Sequence, residues 1–401
     1  MDKKLLEFLK LVHPELTESN GQNASPLETS TPSNPTTLDS RVDAISSNGH
    51  APLFPTNGAN DYSAIEGAVV ENYTPMKKVS IVVPTYNRKD VLRKNLAALV
   101  QQNYPHNLME VVIADDGSSD GTREMIEAMD LPFDVKYVWQ QDKGYRLAKA
   151  RNEGIKRASH DTVIILDVDM IPTPRLVREH MKWRHAASNV AVIGHRRFVE
   201  PDDVSLDLIV NNPQGIYNVK DTMSRAFNIT QDWRLPRYQR TRNLKDDKQP
   251  YLSFTGANVS MSKRQAFLIG LFDESFTVWG REDNEFAHRL YKSGTFLIPE
   301  LKAEALHMEH GVADPEKRKK EIEQAERLYK EKVGSYKPNV FPAPKVSIFV
   351  PTYNREVYIQ EAIGSAVAQT LKDIEIVICD DGSTDKTPEI LRQLQKRYNK
   401  S

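Results

Sequence analysis

The sequence predicts an α/β fold built on a mostly parallel sheet, followed by a partial second copy of the same fold. Short apolar runs alternate with helical runs from Lys77 onward. This alternation is typical of parallel strands joined by helices that cover both faces of the sheet. In addition, the stretch VSIVVPTYNR at 79–88 returns as VSIFVPTYNR at 346–355. The chain therefore carries the opening of one fold twice.

Length and composition limit the function classes. The chain has 401 residues, of which 39% are hydrophobic, so it can form two or three domains with sizeable cores. A formal net charge of −1 gives no support to a nucleic-acid partner. Cys379 is the only cysteine, so the chain can form neither an internal disulfide nor a thiolate metal cluster. We expect a reducing, cytoplasmic location.

The first 76 residues differ in composition from the rest. Residues 1–16 carry apolar residues at helical spacing and predict a short amphipathic helix. This helix either rests on the protein or docks on a partner protein or on the inner face of the cell membrane. Residues 17–76 are rich in Ser, Thr, Pro and Asn and predict a disordered linker. No apolar run reaches the roughly 18 residues that span a bilayer.

The predicted elements of the first domain, residues 77–312, follow from apolar spacing. In order they are the strand VSIVVPTYN, the helix VLRKNLAALVQQ, the strand MEVVIADDGSSD, the helix GTREMIEAM, the strand VKYVWQ, the helix YRLAKARNEGIKRA and the strand DTVIILDVDM. Sheets of this type bind ligands outside the carboxyl ends of their strands. Polar groups stand at those ends: Tyr86-Asn87-Arg88, Asp115-Asp116-Gly117 and Asp167-Val168-Asp169.

Two carboxylates, Asp167 and Asp169, follow the apolar run VIIL. Hard cations such as Mg²⁺ or Mn²⁺ take oxygen ligands from few protein carboxylates and complete their shell with phosphate and water. A pair at this spacing can therefore hold a cation against a substrate phosphate. The same pair can also be a solvated strand end.

The ends of the first two strands offer groups that suit a nucleotide. Tyr86 can stack on a flat base, although a lone tyrosine is more often a residue at the edge of a core. Asp116 can accept a hydrogen bond from a base N–H, and Asp115-Asp116-Gly117-Ser118 can equally serve as the cap of the next helix.

The segment WGREDNEF, residues 279–286, is the most pointed feature of the sequence. Gly280 allows a turn, and Glu282 and Asp283 then stand on the first turn of a helix. Carboxylates are stabilised there by the helix dipole, which is one explanation. The other is a positioned general base beside the aromatic side chain of Trp279.

Two histidines, His307 and His310, close a predicted strand and can ligate a metal together. A structural or exposed pair is the alternative. The chain has no His-Glu-x-x-His segment, so a zinc protease has no support.

The remaining chain predicts a connector and a second domain. Residues 313–344 form a charged helix, expected to be a solvated connector packed along one edge, and a Pro-rich linker. Residues 345–401 form a partial second domain with Tyr353 and Asp381 at the nucleotide end. We expect a second copy of the fold that is cut short and carries no chemistry of its own, because no counterpart of LDVDM, WGRED or HMEH follows.

The motifs VSIVVPTYNR, IADDGSSDGT, GYRLAKARNEGI, VIILDVDMIP and FTVWGREDNEFAHRL, in this order, resemble family-two glycosyltransferases of the GT-A fold. The subgroup is the bacterial chondroitin- and hyaluronan-polymerase type. The segments WGRED and HMEH also resemble the carboxyl half of galactosyltransferases, whose pattern is Trp-Gly-Gly-Glu-Asp. Arg281 departs from the second glycine of that pattern, which leaves the shape of the acceptor site open.

The resemblance implies the roles of individual residues. Asp283 would be the catalytic base, with Glu282 beside it. The implied metal ligands for Mn²⁺ or Mg²⁺ are Asp169, His310 and, less directly, His307. The residues implied to bind the nucleotide sugar are Pro84, Tyr86, Arg88, Asp116, Arg151, Asp167, Gly256, Asn258 and Trp279.

The implied function is a metal-dependent, inverting transfer of a hexosyl or N-acetylhexosaminyl group from a UDP-sugar to a hydroxyl of a glycan acceptor. The alternative is a non-catalytic binding or assembly subunit of a polysaccharide synthase. A nucleotidyltransferase is disfavoured, because PTYNR replaces the Gly-rich opening with its Arg and Lys that such enzymes carry after the first strand.

Overall fold

A computed structural model describes residues 60–224, 231–308, 314–336, 346–370 and 374–398. The chain divides into two compact units, Met1–Tyr336 and Lys337–Ser401. None of the helices within these described ranges is both long enough and apolar enough to cross a bilayer.

An eight-stranded sheet forms the centre of the first unit. Its strands are β1 (Val79–Thr85), β2 (Met109–Asp115), β3 (Asp134–Trp139), β4 (Thr162–Leu166), β5 (Met170–Pro172), β6 (Val190–Val199), β7 (Asn258–Ser262) and β8 (Phe296–Met308). The order across the sheet is β3-β2-β1-β4-β7-β6-β8-β5. The pairs β3–β2, β2–β1, β1–β4 and β6–β8 are parallel, whereas β7 and β5 run antiparallel to their neighbours. The predicted mostly parallel α/β sheet is confirmed.

Helices cover the sheet on both faces. The α-helices of the first unit are α1 (Ser63–Gly67), α2 (Lys89–Val100), α3 (Thr122–Glu127), α4 (Leu147–Arg157), α5 (Leu176–Ala186), α6 (Leu206–Asn211), α7 (Leu235–Arg240), α8 (Lys263–Leu268), α9 (Glu282–Lys292) and α10 (Pro315–Ser335). Successive residues of a strand point to opposite faces, so a strand covered on both sides reads as one apolar run.

Strand β1 illustrates this double coverage. Ile81 lies in one apolar cluster with Leu96 of α2, while Val82 lies in the other with Ile155 of α4. A Cβ atom on Gly154 would stand only 2.4 Å from Cγ1 of Val82. Only glycine therefore lets α4 approach the sheet this closely, and that approach positions the polar residues of α4.

The described part of the predicted linker differs from the prediction. Residues 60–76 were expected to be disordered, but the side chain of Asn60 donates to the carbonyl of Leu297 at 2.7 Å and accepts from its N–H at 2.9 Å. Tyr62 is buried, packs edge-on against Trp183 and donates to the carbonyl of Asn243 at 2.7 Å. The polar composition predicted disorder, but a polar side chain can also hold a segment in place. The amide of an asparagine can hydrogen-bond an open strand edge as a backbone amide does. The prediction for residues 1–59 falls outside the described chain.

The second unit repeats the opening of the first. Strands β9 (Val346–Thr352) and β10 (Ile374–Asp380) pair in parallel, and helices α11 (Ile359–Val367) and α12 (Thr387–Tyr398) pack beside them. Its apolar cluster centres on Ile359, Ile363 and Leu394.

Candidate active site

The predicted polar groups meet at the carboxyl edge of the first sheet. Strands β1, β2 and β4 are parallel neighbours, so the residues that follow them lie side by side. The N–H of Asp116 donates to the carbonyl of Thr85 at 2.9 Å, which places Tyr86 and Asp116 next to each other. Pro84 lies within β1 opposite Ala114 and is buried.

Asp116 is held by two residues that the sequence analysis did not single out. Its carboxylate accepts from Nε2 of Gln140 at 2.6 Å and from both the backbone N–H and the guanidinium of Arg146 at 3.0 Å. The hydroxyl of Tyr86 donates to Asp142 at 2.8 Å, and the Tyr86 side chain is 46% exposed. An exposed aromatic ring thus lies beside a carboxylate. The ring could stack on a base, and the carboxylate could accept a hydrogen bond from a base N–H. The GYR of the motif GYRLAKARNEGI was the available signal for Arg146.

Two further predicted nucleotide contacts differ in their surroundings. Arg88 immediately precedes α2, is partly exposed, and its carbonyl accepts the N–H of Leu92 at 2.8 Å. Asn258 is buried in β7, where its amide donates to the carbonyls of His195 and Ala303 at 3.1 and 2.9 Å. Its side-chain oxygen lies 2.8 Å from Nε2 of the buried His180. All its polar atoms are used within the fold, so this placement argues against the predicted sugar contact.

Arg151 joins the two acidic motifs. Its side chain is 2% exposed and donates to Oε1 of Glu282 at 2.9 Å and to Asp167 at 3.0 Å. Burial alone would lower the pKa of Arg151, but the charges of Asp167 and Glu282 outweigh it and raise the pKa. A Cβ atom on Gly256 would stand 2.6 Å from Cζ of Arg151, so the glycine makes room for the guanidinium. Glu282 lies more than a hundred residues from Arg151 and Asp167 in the sequence, so a spacing argument could not find the link.

The two carboxylates of the Asp-Val-Asp motif point to different partners. Asp167 faces Arg151, and burial raises the pKa of Asp167 although the arginine opposes this. Oδ2 of Asp169 lies 3.7 Å from Nε2 of His307, because β5 and β8 pair with Met170 opposite His307. His310 lies outside the described residues.

A carboxylate and an imidazole on neighbouring strands are donors that suit a divalent cation such as Mn²⁺. Within the ranges that the structure describes, no three His, Cys, Asp or Glu side chains converge closely enough to hold a metal. Asp169 and His307 could therefore supply two ligands to such an ion, whose remaining coordination positions would be filled by other donors such as phosphate and water.

Glu282 and Asp283 begin α9 but have different environments. Glu282 is 5% exposed; its burial, followed by the neighbouring charge of Asp283, raises the pKa of Glu282 to about 7 against the opposing effect of Arg151. Asp283 is partly exposed, and its Oδ2 accepts the N–H of Gly256 at 3.0 Å. The carboxylate with access to solvent is thus Asp283, and the backbone of the Gly256 segment orients it.

The loop before α9 leans on α10. The guanidinium of Arg318 stands 4.5 Å from the ring centre of Trp279, and Nε of Arg281 donates to Glu326 at 2.7 Å. Tyr329 of α10 is buried. Helix α10 was expected to be a solvated connector packed along one edge, and the structure agrees: most of its residues are exposed or partly exposed, and its narrow packed face meets the loop that leads to Asp283.

Comparisons with known proteins agree with this arrangement. Residues 80–263 and 347–401 match the family model described as glycosyl transferase family 2. Residues 237–311 match a second model, described as the N-terminal domain of galactosyltransferase. Both matches confirm the resemblance to family-two enzymes with a galactosyltransferase-like carboxyl half.

Named relatives point the same way. The chain is 37% identical to a chondroitin synthase of Escherichia coli over 80% of this chain and 48% of the relative. It is 36% identical to a chondroitin synthase and 33% identical to a hyaluronan synthase of Pasteurella multocida, in each case over 79% of this chain and 34% of the relative. The chain spans about half or less of these relatives. Because the first family model matches more than half of the sequence, the chain belongs to glycosyl transferase family 2, a family of glycosyltransferases.

Proposed function

We propose that this chain transfers a hexosyl or N-acetylhexosaminyl group from a UDP-sugar to a hydroxyl of a glycan acceptor, with a divalent cation and inversion at the anomeric carbon. One observation carries the proposal: Arg151 ties Asp167 of the Asp-Val-Asp motif to Glu282, beside Asp283. A cation-binding edge and a candidate base are thereby held around one space. The names of the relatives support a polysaccharide acceptor.

The uridine end of the donor would lie at Tyr86 and Asp116. The exposed ring of Tyr86 offers a face for stacking, and Asp116 offers an acceptor for a base N–H. Arg146 and Gln140 hold the Asp116 carboxylate in place, so little rotational freedom is lost when a nucleotide binds.

The diphosphate would lie near Asp169 and His307, which would hold Mn²⁺ or Mg²⁺. When bound, this cation neutralises the charge that develops on the leaving diphosphate. Asp167 has a separate task in this proposal: its salt bridge to Arg151 fixes the chain that carries Asp169.

The transfer itself is a single displacement. The acceptor oxygen forms a bond to the anomeric carbon while the bond from that carbon to the diphosphate oxygen breaks. Asp283 takes the proton of the acceptor hydroxyl as general base. The hydrogen bond from the N–H of Gly256 keeps one oxygen of Asp283 fixed, so that the base favours attack from a single direction. Inversion follows from the single displacement, because the acceptor attacks opposite the leaving diphosphate.

The test is UDP release from a panel of UDP-sugars, with and without short glycan acceptors, in the presence of Mn²⁺ or Mg²⁺. We expect release with at least one donor, strong stimulation by an acceptor, and loss of activity in excess chelator that added Mn²⁺ reverses. A chain that binds UDP but releases none from any donor would support the alternative of a non-catalytic assembly subunit. Full activity in chelator would overturn the metal's role.

A further inference from the structure

Arg281 occupies a backbone conformation that disfavours it. Its φ of 72° lies in the left-handed region, which costs a residue with an L side chain about 1–2 kcal/mol. It stands directly before Glu282 and Asp283, at the start of α9. Strain of this kind persists only where the surroundings hold the residue in place, so the contacts of its side chain need an explanation.

One set of contacts ties Arg281 to α10. Its Nε donates to Oε2 of Glu326 at 2.7 Å, and its guanidinium stands 5.4 Å from the ring centre of Tyr329. Tyr329 and Ala325 are the buried residues of α10, so this part of the helix is its packed face. The side chain of Arg281 thus has a firm support.

The same helix holds the loop before Arg281 at two more points. Arg318 stacks on Trp279, and Nζ of Lys332 lies 2.7 Å from Oδ2 of Asp273. These contacts fall on both sides of the Glu326 contact along α10. The helix therefore acts as a brace along the chain that leads into α9.

The other contact of Arg281 leads to the pocket. Its Nη1 donates to Oδ1 of Asn284 at 2.9 Å. This fixes the orientation of the Asn284 amide, whose Nδ2 then donates to the carbonyl of Phe254 at 2.8 Å. Two residues further, the N–H of Gly256 donates to Asp283 at 3.0 Å. Arg281, Asn284 and the segment 254–256 thus form a closed chain of hydrogen bonds that returns to the candidate base.

The Nδ2 atom of Asn284 also donates to the carbonyls of Tyr251 and Leu252, at 3.3 and 3.4 Å. We propose that Arg281 is a positioning residue: through Asn284 it sets the segment 251–256 against Asp283, with α10 as its support. This inference rests on the proposed function, because it takes Asp283 to be the base. It also explains the departure from the Trp-Gly-Gly-Glu-Asp pattern. A glycine would relax the backbone at this position but would have no side chain to orient Asn284.

If Arg281 only stabilised the fold, its replacement would lower the melting temperature, whereas the positioning role predicts little change. Arg281 is 38% and Glu326 30% exposed, and ion pairs this open contribute little to the free energy of unfolding. A glycine at this position also relieves the strain of the positive φ, which offsets part of the small stability lost with the ion pair. Arg281→Gly should therefore leave the melting temperature nearly unchanged and act on transfer.

The matched control is Arg242→Gly. Arg242 also has a positive φ, 47°, and an ion pair with a carboxylate, Asp246, at 2.5 Å, but it lies in an exposed loop after α7. We expect Arg281→Gly to lower kcat for transfer about 10- to 100-fold, the scale that a small misplacement of reacting groups produces. Its affinity for UDP should stay within about twofold, since the Tyr86–Asp116 end is not part of this network. Arg242→Gly should change none of these quantities.

Backbone hydrogen exchange tests the link without any turnover. Arg281→Gly should speed exchange of the amides in 251–256, and Arg242→Gly should not. In kinetics, Asn284→Ala should lower kcat as well, and adding Arg281→Gly to it should cause little further loss, because both act through one amide. Full kcat in Arg281→Gly, unchanged exchange in 251–256, or two independent losses that multiply would each overturn the proposal. If the wild-type chain transfers no sugar while hydrogen exchange responds as expected, the proposed function fails, but the hydrogen-bonded link from Arg281 to the segment 251–256 stands.

Discussion

The two copies of the PTYNR opening build the same turn from the same residues. In the first copy Asn87 has a φ of 47°, and its N–H donates to Oγ of Ser118 at 2.8 Å. In the second copy Asn354 has a φ of 48°, and its N–H donates to Oγ of Ser383 at 2.8 Å. Asparagine tolerates the left-handed region better than most residues, and the serine after the second strand completes the turn, so the two short motifs that both copies share specify it.

The strands below the turns differ sharply. Val82 of β1 and Val112 of β2 are fully buried, whereas their counterparts Phe349 and Val377 in the second copy are 62% and 41% exposed. In the first unit α4 covers these positions. The described residues of the second unit provide no helix on that face. Since α4 also carries Arg151, the first copy gains its cover and its link between acidic motifs from one element.

The comparison shows that the repeated motifs form the same turn in both copies, whereas the arrangement of the acidic motifs depends on elements that only the first copy has. Carboxylates and a base become a site only where later elements bring them to the turn. The following predictions test this division, from the largest expected effect to the smallest.

Asp283→Asn removes the candidate base from the first copy while keeping its size and its hydrogen bond to Gly256. We expect transfer to fall by about 10²- to 10⁴-fold, the usual contribution of a general base. The measurement is acceptor-dependent UDP release, with UDP affinity by calorimetry as the control. Near-normal turnover in this variant would show that the base lies elsewhere.

Arg151→Met removes the positive charge between Asp167 and Glu282 and leaves two carboxylates without their partner. We expect the free energy of unfolding to fall by about 3–5 kcal/mol, as for other broken buried pairs. Denaturant unfolding followed by circular dichroism measures it. Arg123→Met, which breaks the exposed pair with Glu127, is the control and should cost less than about 0.5 kcal/mol. Equal losses in the two variants would contradict the role of burial.

Glu282→Gln tests the raised pKa. In the folded chain Glu282 keeps its proton up to a pKa of about 7, against an ordinary value of 4.5, so the folded state binds more protons than the unfolded state between these values. Stability therefore falls as pH rises through this window, and the loss is complete above it. The glutamine cannot ionise, so at about pH 8 the variant should be more stable than the wild type by on the order of 2 kcal/mol.

The readout is the difference in melting temperature between the variant and the wild type at several pH values. The two chains should converge near pH 4 and separate as pH rises. A constant difference across the range would mean that Glu282 ionises normally in the folded chain.

Asp116→Asn and Asp381→Asn compare the two nucleotide ends directly. For Asp116→Asn we expect the KM for the donor to rise about tenfold, the loss of one charge-assisted hydrogen bond of about 1.5 kcal/mol. Asp381→Asn should leave both KM and kcat unchanged, because residues 345–401 contain no counterpart of the Asp-Val-Asp motif or of Glu282-Asp283. Equal effects of the two substitutions would mean that both copies serve one donor site.

Much of this architecture could be predicted from the sequence. Continuous apolar runs located strands β1 to β4, helical spacing located helices α2 to α4, and polar residues at strand ends located Tyr86, Asp116 and the Asp-Val-Asp motif. Strands β6 and β7 were not predicted. These signals are local, and parallel strands bring their ends to one edge without further information.

Other parts depend on contacts that no local pattern records. The burial of Arg151 follows from the close packing of α4 on the sheet, which Gly154 allows. The resemblance implied a sugar contact for Asn258, yet its side-chain amide donates to the carbonyls of His195 and Ala303 within the fold. Helix α10 was expected to pack along one edge, but the loop that it contacts could not be predicted, because its packed face holds only two buried residues, Ala325 and Tyr329.

The hydrogen bonds of Asn60 to Leu297 have a practical consequence for shortening the chain. Beginning expression at Lys77, where the apolar alternation starts, would delete Asn60 and Tyr62 and uncover the backbone of β8 together with the ring of Trp183. An uncovered strand edge is a template for pairing with another chain. A shortened protein that keeps residue 60 should stay soluble, while one that begins at 77 should aggregate.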